Sequence, residues 1–355
     1  MKIIETRAWL KKLPLTKPYT IAYKTFSDTE IVFFEITLEN GIKGIGAANP
    51  FEEVVGETPA QTLINLQSGF MDRLKGRDIR TFAAIIDESA THFNRLPGTI
   101  AAIDIALHDA FCKFLQIPVV DFLGRKKEAL PTSITIGIKE IPEMIEEAKI
   151  NYSNGFRILK IKTGLNAEED AERISKLTET FHDNIKIRVD ANQGYSLDEL
   201  KYFISHTSHL NIELIEQPVA VGEEKLLLLL NEEERKKICA DESLHDAKAA
   251  MKLAQSPHPF GIFNIKLMKC GGIRAAADIA TIAGYSGIDL FWGCNDESII
   301  SITAALHIAY ASSQTKYIDL DGSFDLSDDL VSGGFIIKDG YMYCIGKPGL
   351  GYTLK

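Results

Sequence analysis

The 355-residue sequence lacks the features that would tie it to a nucleic acid, a membrane or an oxidising compartment. It has 39 Lys and Arg against 49 Asp and Glu, a net charge of −10, whereas nucleic acids and anionic membranes bind clustered positive charge. The longest leucine run, Leu226 to Leu230, is too short for a transmembrane helix, and no signal peptide is expected. The five cysteines are widely spaced without a CxxC pair, which predicts free thiols and a cytoplasmic location.

What the sequence does contain is a repeat of one short strand and one helix. Helix-like stretches such as Asn166–Phe181 and Gly272–Ala283 separate the strand-like runs. Eight such runs imply parallel strands, which close most naturally into a barrel; a doubly wound open sheet is the alternative. The runs are Ser133–Gly137, Ile158–Gly164, Lys186–Asn192, Ile212–Pro218, Lys237–Ser243, Ile262–Met268, Asp289–Asn295 and Tyr317–Gly322.

Residues 1–120 lack this repeat and are predicted to form an α+β capping domain. Their first fifty residues alternate like an antiparallel meander, with a strand at Ile31–Thr37, and Thr99–Phe114 has the apolar face of a helix. The barrel is expected to span residues 121–330. Residues 331–355 return to short strands and are expected to fold back onto the capping domain.

Three acidic residues follow three successive predicted strands. Active sites of such barrels lie at the C-terminal strand ends, where Asp190, Glu216 and Asp241 would repel one another. A divalent cation would remove this repulsion, and all-oxygen ligands favour Mg²⁺. Either aspartate alone could simply cap the next helix, so the predicted site, with one Mg²⁺ per subunit, depends on the three together.

Two lysines flank the three carboxylates, Lys162 one strand before them and Lys266 one strand after. Lys160 shares the face of Lys162, because strand side chains repeat every two residues. One amine would remove the proton beside a metal-held carboxylate, giving a metal-stabilised enediolate, and the other would return a proton to the opposite face. The residues therefore predict a racemase or epimerase that works by two-base 1,1-proton transfer.

These motifs resemble those of the muconate-lactonizing subgroup of the enolase superfamily, over essentially the whole chain. The resemblance implies a (β/α)7β TIM-like barrel with an α+β capping domain. It also implies the metal ligands Asp190, Glu216 and Asp241 and the acid/base pair Lys162 and Lys266. The motifs are Lys160-Ile161-Lys162, Asp190-Ala191-Asn192-Gln193-Gly194, Ile215-Glu216-Gln217-Pro218, Ala240-Asp241-Glu242-Ser243 and Asn264-Ile265-Lys266 followed by Cys270-Gly271-Gly272.

The eighth strand end discriminates among the activities of that subgroup. Asp319 and Asp321, two residues apart, would bind a substrate ammonium group, although Asp321-Gly322 could also be a simple turn. Muconate and succinylbenzoate carry no ammonium group, and two further carboxylates would repel them. An Asp-x-Asp here resembles the dipeptide epimerases, where it binds the free amino terminus. That resemblance implies epimerisation of the C-terminal residue of a dipeptide.

The side-chain specificity is less well defined, because its cues conflict. Lys24 would suit an acidic side chain, whereas Asp296 would disfavour one. The residues Tyr19, Ile21 and Phe26 would suit an apolar one. We expect Ala-Xaa dipeptides in which Xaa is small, apolar or Glu. The predicted substrate-binding residues are Lys160, Asp319, Asp321, Asn192, Lys24, Thr135, Cys294 and Asp296.

Two other activities stay open at this stage. The first is an N-acylamino acid racemase or o-succinylbenzoate synthase of the same subgroup, which would need no substrate ammonium. The second is a barrel that binds a small molecule without chemistry, which would need no opposed lysines. A homo-oligomer is expected.

Overall fold

The structure, a computed structural model, describes residues 1–21 and 24–355, with the side chains of residues outside 17–26. The side chains of Lys24, Tyr19, Ile21 and Phe26, four of the specificity cues, therefore lie outside the described residues.

The N-terminal part is an antiparallel sheet covered by helices. Its strands pair in the order β1-β2-β3, which confirms the predicted meander. Gly44 and Gly46 of β3 let helix α4 pack directly on the sheet, because a Cβ at either position would collide with the α4 backbone. The elements are β1 (Ile3–Ile21), β2 (Lys24–Leu38), β3 (Lys43–Ala48), α1 (Glu52–Val55), α2 (Pro59–Leu66), α3 (Phe82–His92), α4 (Pro97–Leu115) and α5 (Val119–Leu123).

The central part is a sheet of eight parallel strands, β5 to β12, in sequence order, and helices follow most of them. This arrangement confirms the predicted barrel with a separate capping domain. The strands are β4 (Ala129–Pro131), which lies outside this sheet, β5 (Ile134–Ile136), β6 (Ile158–Lys162), β7 (Lys186–Asp190), β8 (Ile212–Glu216), β9 (Ile238–Ala240), β10 (Ile262–Ile265), β11 (Asp289–Trp292) and β12 (Thr315–Ile318). The helices are α6 (Ile141–Ser153), α7 (Ala167–Phe181), α8 (Leu197–Thr207), α9 (Glu232–Arg235), α10 (Ala247–Leu253), α11 (Leu267–Cys270), α12 (Ile273–Ser286) and α13 (Ile299–Ala311).

The strands are shorter than the sequence pattern predicts, because their polar ends belong to loops. The clearest case is the run Ile262–Met268, of which only Ile262–Ile265 is a strand. The carbonyl oxygen of Lys266 accepts the N–H groups of Lys269 and Cys270, so the chain turns into α11 at once. Lys266 therefore lies at the junction of a strand and a helix.

The last residues form two small antiparallel pairings. β13 (Val331–Gly333) pairs with β16 (Tyr352–Leu354), and β14 (Phe335–Lys338) pairs with β15 (Tyr341–Cys344), which also pairs with β4. Two groups of this segment, Leu350 N–H and Tyr352 O–H, donate to the buried Asp109 of α4. The exact domain boundaries at residues 120 and 330 stay a prediction.

All five cysteines are free thiols, as their spacing predicted. Among the described residues, no helix combines the length and the apolar character needed to cross a membrane.

Candidate active site

The register of the parallel strands brings the predicted residues to one edge of the sheet. Lys162 pairs with Asp190 across β6 and β7, and Asp190 pairs with Glu216 across β7 and β8. Glu216 pairs with Cys239, two residues before Asp241. Side chains at the C-terminal ends of neighbouring parallel strands must therefore meet, as the sequence pattern predicted.

Lys160 lies at the centre of this edge and is almost fully buried. Its Nζ lies 2.8 Å from Glu216 Oε2, 2.9 Å from Asp319 Oδ2 and 3.1 Å from Asp190 Oδ2. Burial would lower the pKa of Lys160, but the charge of Asp319 and the two other carboxylates raise it well above its usual value. Lys160 is thus a cation that lies between Asp319 and the pair Asp190 and Glu216.

Lys162 is more exposed than Lys160 and is held at two points. Its Nζ donates to Asp190 Oδ2 at 2.7 Å and to Asn192 Oδ1 at 2.9 Å. Asn192 has φ = 40° and its amide donates to Glu242 Oε1 at 3.2 Å. Positive φ values are uncommon outside glycine and cluster at functional sites, so the loop after β7 holds Asn192 in a strained but defined position.

The second lysine, Lys266, contacts the third carboxylate. Lys266 Nζ donates to Asp241 Oδ2 at 2.8 Å, and the buried Lys269 donates to Asp241 Oδ1. Burial opposes the shift, but the charges of Lys266 and Lys269 hold the pKa of Asp241 well below its usual value. Lys266 follows β10 and Lys162 ends β6, four strands apart in a ring of eight, so the two lysines start from opposite sides of the barrel.

Glu216 has the properties expected of a cation ligand. It is fully buried, and burial together with the charge of Asp190 raises its pKa to about 8. Its Oε1 accepts a hydrogen bond from Asn264, whereas Oε2 accepts none and only faces the amine of Lys160. A buried carboxylate with spare acceptor capacity beside two others fits the oxygen-rich donor set that Mg²⁺ prefers.

Each of the three carboxylates contacts a lysine amine, and Asp190 and Glu216 share that of Lys160. Among the residues that the structure describes, no three His, Cys, Asp or Glu side chains are arranged to hold a metal ion. The donor chemistry of Asp190, Glu216 and Asp241 nevertheless fits Mg²⁺, because all three supply buried carboxylate oxygens at adjacent strand ends. Coordination would require the side chains to turn away from the lysine amines.

Asp319 and Asp321 form a separate pair of carboxylates at the end of β12. Asp319 is buried and accepts from Ser133 Oγ at 2.6 Å, and Asp321 Oδ2 accepts the N–H of Thr135 at 2.8 Å. Burial and the charge of Asp319 raise the pKa of Asp321 to about 7. Within the described side chains, the charges that act most on Asp321 are those of the aspartates Asp319 and Asp325.

Cys294 and Asp296 lie on the loop after β11, beside this pair. Cys294 Sγ contacts the carbonyl of Asp319 and the N–H of Gly322, both at 3.3 Å, so it packs against the backbone of the loop after β12. Asp296 is half-buried, and its carbonyl accepts from Asn49 of the capping domain at 2.6 Å. This loop is therefore where the cap meets the barrel.

The structure assigns contacts to three further residues that the sequence left without a role of their own. Lys269 and Asn264 hold the predicted ligands Asp241 and Glu216, and Glu297 is a buried acid whose pKa burial raises to about 7. Asn264 begins the motif Asn264-Ile265-Lys266, and Lys269 lies between this motif and Cys270-Gly271-Gly272. Only the turn into α11 brings the amine of Lys269 back to Asp241. Glu297 belongs to the loop Asn295-Asp296-Glu297, which the sequence predicted to meet the substrate side chain, but its burial could not be predicted from the sequence.

Two family models match the chain. The model "Mandelate racemase / muconate lactonizing enzyme, N-terminal domain" matches residues 3–124, and "Enolase C-terminal domain-like" matches residues 143–355. Together they cover most of the chain.

Characterised and solved relatives cover its full length. An L-Lys-D/L-Arg epimerase of Desulforapulum autotrophicum is 50% identical over 351 residues, which are 99% of each chain. A dipeptide epimerase from Methylococcus capsulatus, solved with Mg and the dipeptide L-Arg-D-Lys, has a TM-score of 0.98 at 45% identity, covering 99% of this chain and 100% of that one. Another from Enterococcus faecalis V583, solved with Mg and L-Leu-L-Tyr, has a TM-score of 0.93 at 33% identity, covering 99% and 100%.

Proposed function

The chain belongs to the mandelate racemase / muconate lactonizing enzyme family of the enolase superfamily, and we propose that it inverts the α-carbon of the C-terminal residue of dipeptides. Membership of this group of relatives makes it an isomerase that acts on amino acid derivatives and uses Mg²⁺. The proposal concerns which residues do the chemistry and which dipeptides they accept.

Asp190, Glu216 and Asp241 are the proposed ligands of one Mg²⁺. When bound, the ion supplies positive charge that holds the substrate carboxylate and stabilises the negative charge that develops there as the α-proton leaves. Lys160 would stay charged beside Asp190 and Glu216 and would add a second fixed positive charge.

Lys162 and Lys266 are the proposed acid/base pair. A dipeptide carboxylate held between them would present the α-proton of one epimer to one amine and that of the other epimer to the other amine. Removal by one lysine and delivery by the other inverts the carbon. The hydrogen bonds from Lys162 to Asp190 and Asn192 would orient one amine, and the bond from Lys266 to Asp241 would orient the other.

The pair Asp319 and Asp321 carries the proposal of a dipeptide substrate. A buried carboxylate beside another carboxylate is costly unless a cation arrives, and Asp319 already shares Lys160 with two other acids. A free amino terminus would complete the charge balance at Asp321. An N-acylamino acid, which has no ammonium group, would leave this charge uncompensated.

The side chains of the proposed substrate are cationic, of the Lys-Arg type. The relative named L-Lys-D/L-Arg epimerase and the structure with L-Arg-D-Lys support this choice over the Ala-Xaa dipeptides that the sequence pattern suggested. The charge of Asp296, on the loop that meets the cap, supports it too, because an acidic group there would favour a Lys or Arg side chain over Glu.

Exchange of the α-proton with solvent tests the proposal. The protein with Mg²⁺ is mixed in D₂O with L-Lys-L-Arg, L-Ala-L-Glu, L-Ala-L-Leu or N-succinyl-L-Arg, and mass and stereochemistry are followed. We expect a gain of about one dalton with inversion for L-Lys-L-Arg, abolished by EDTA and restored by added Mg²⁺. If an Ala dipeptide exchanged its α-proton faster than L-Lys-L-Arg, the Ala-Xaa specificity expected from the sequence would be correct instead. Exchange of N-succinyl-L-Arg alone would refute the role of Asp319 and Asp321.

A further inference from the structure

The barrel closes where its first and last strands meet, and this seam has less backbone pairing than its neighbours. A single parallel bridge joins Thr132 to Ile318 just before β5, supported by a hydrogen bond of 3.2 Å from Ser133 N–H to the Ile318 carbonyl. By contrast, the ladder between β11 and β12 has three registered pairs. Side chains must therefore supply much of the order across the seam.

Both carboxylates of the proposed ammonium site bond across this seam. Asp319 follows β12 and accepts from Ser133, whereas Asp321 accepts from the backbone of Thr135 in β5. The Thr132 hydroxyl also accepts the N–H of Leu320, the residue between them, at 3.0 Å. The relative positions of the two aspartates thus depend on the segment 132–135.

Arg188 reaches this seam from β7, two strands away from β5. It is 1% exposed, and its Nη1 donates to Ser133 Oγ at 2.9 Å and to the Ile318 carbonyl at 2.5 Å. Its Nε donates to Glu213 at 3.0 Å, and its guanidinium carbon lies 5.2 and 5.1 Å from the ring centres of Phe291 and Tyr317. The two aromatic rings and the ion pair with Glu213 fix this cation in place.

The bond from Arg188 also sets the direction of the Ser133 hydroxyl. A serine hydroxyl has one proton to donate and can accept at its lone pairs. Because Oγ accepts from Arg188, its proton is available for Asp319 Oδ1, at 2.6 Å. The other oxygen of Asp319, Oδ2, lies 2.9 Å from Lys160. Both oxygens of this buried carboxylate are therefore held, and its plane cannot rotate freely.

We propose that Arg188 and Ser133 are positioning residues for the substrate ammonium group, because together they fix Asp319 at the closing seam of the barrel. The inference rests on the proposed dipeptide substrate and deepens it. Neither residue touches the reacting carbon. The ammonium group is bound equally in the ground state and in the transition state. If Asp319 were no longer held in position, KM should therefore rise and kcat should stay nearly unchanged.

The test is the kinetics of Ser133→Ala with L-Lys-L-Arg and Mg²⁺. We expect KM to rise about tenfold, the lower end of the effect of one hydrogen bond to a charged group, with kcat within about twofold of the unaltered protein. Ser133→Thr, which keeps the hydroxyl, should restore most of the affinity, and Arg188→Lys should raise KM in the same direction. Ser89→Ala, a buried serine of α3 whose hydroxyl bonds within its own helix, is the matched control and should change neither constant.

The outcomes separate this inference from the proposed function. A merely structural role for Ser133 would lower kcat and the melting temperature together and would not be specific to KM; that result, or an unchanged KM, overturns the inference while dipeptide exchange by the unaltered protein stands. If the unaltered protein exchanges no dipeptide α-proton, the proposed function fails and the inference fails with it.

Discussion

At the scale of single residues, the site is a set of charges that compensate one another. Lys162 and Lys266 each hold a different carboxylate, and Lys160 holds three. This pairing lowers the pKa values of Asp190, Asp241 and Asp319 in a buried place, where an uncompensated charge would be costly, whereas burial raises that of Glu216. Asp321, whose pKa burial and the charge of Asp319 raise to about 7, is the acid proposed to bind the substrate ammonium group.

The first prediction concerns Lys162. In Lys162→Ala, we expect inversion of a dipeptide to fall by about 10²- to 10⁴-fold, the usual effect of losing a general acid/base group. Slow exchange without inversion should survive for the epimer whose α-proton faces Lys266, because removal and return then occur on one face. Mass spectrometry in D₂O with separated epimers measures both rates.

The control for Lys162 is Lys176→Ala, whose amine pairs with Glu179 on the surface of α7 and should leave both rates unchanged. Retention of full inversion in Lys162→Ala would contradict the two-base assignment.

The second prediction concerns the pH dependence of binding through Asp321. Its pKa is raised to about 7, so the carboxylate is protonated below that pH and ionised above it. Only the ionised form attracts an ammonium group. We therefore expect KM for a dipeptide to rise as the pH falls from 8 to 6, by several-fold. Initial rates at closely spaced pH values measure it.

Asp321→Asn is the comparison for the pH experiment. It should have a high KM at every pH, with the rise toward low pH lost. If this variant kept the same pH dependence of KM as the unaltered protein, another group would be responsible.

At the scale of elements, helix α4 begins without a capping side chain of its own. Its N-cap residue is Leu96, and the buried Glu57 from the loop between α1 and α2 accepts the N–H groups of Gly98 at 2.7 Å and Thr99 at 3.0 Å instead. The hydroxyls of Thr62 and Thr99 donate to the same carboxylate. A negative charge at a helix N-terminus is favourable, so Glu57 ties two parts of the cap to α4.

The third prediction follows from the capping of helix α4 by Glu57. Glu57→Ala should lower the free energy of unfolding by about 2 kcal/mol, because four donors lose a charged acceptor in a buried place. Urea denaturation followed by circular dichroism measures the change. Glu88→Ala removes an exposed carboxylate that pairs with Arg77, and it should cost much less, because solvent screens a surface ion pair. Equal losses in the two variants would refute the capping role.

At the scale of the whole molecule, one aspartate of the cap holds a helix of the barrel. Asp104 of α4 is fully buried and accepts the N–H groups of Ile273 at 2.8 Å and Arg274 at 3.1 Å, the first residues of α12. The preceding residue, Gly272, has φ = 105° and has no room for a Cβ beside Asp104. The glycine pair noticed in the sequence therefore serves a close contact between cap and barrel.

The fourth prediction is that Asp104→Ala loosens the cap from the barrel. We expect a loss of about 2 to 3 kcal/mol in stability, because two buried N–H groups at a helix start lose their acceptor. Differential scanning calorimetry should show a lower and broader transition. Asp87→Ala, which removes an exposed partner of the same Arg274, should leave the transition nearly unchanged. A sharp, unshifted transition in Asp104→Ala would contradict this contact.

Part of the site could be predicted from the sequence because it depends on local order. The side chains at the ends of parallel strands share one edge whatever their detailed contacts, so Lys162, Asp190, Glu216, Asp241 and Lys266 could be grouped from spacing alone. Ser133 and Arg188 could not, since a serine and an arginine within apolar runs carry no sign of which distant strand they meet. Their contact spans 55 residues of chain.

The sequence by itself determined the barrel with its cap, the set of charged strand ends and the class of chemistry, because strand and helix periods and the type of each residue are local properties. Only the tertiary structure decided which lysine pairs with which acid, that Lys160 joins Asp319 to Asp190 and Glu216, and that Arg188 and Ser133 order the closing seam. The physical reason is that a buried charge takes its partners from whatever the fold brings within about 3 Å, and closure of the barrel brings together residues that no sequence pattern connects.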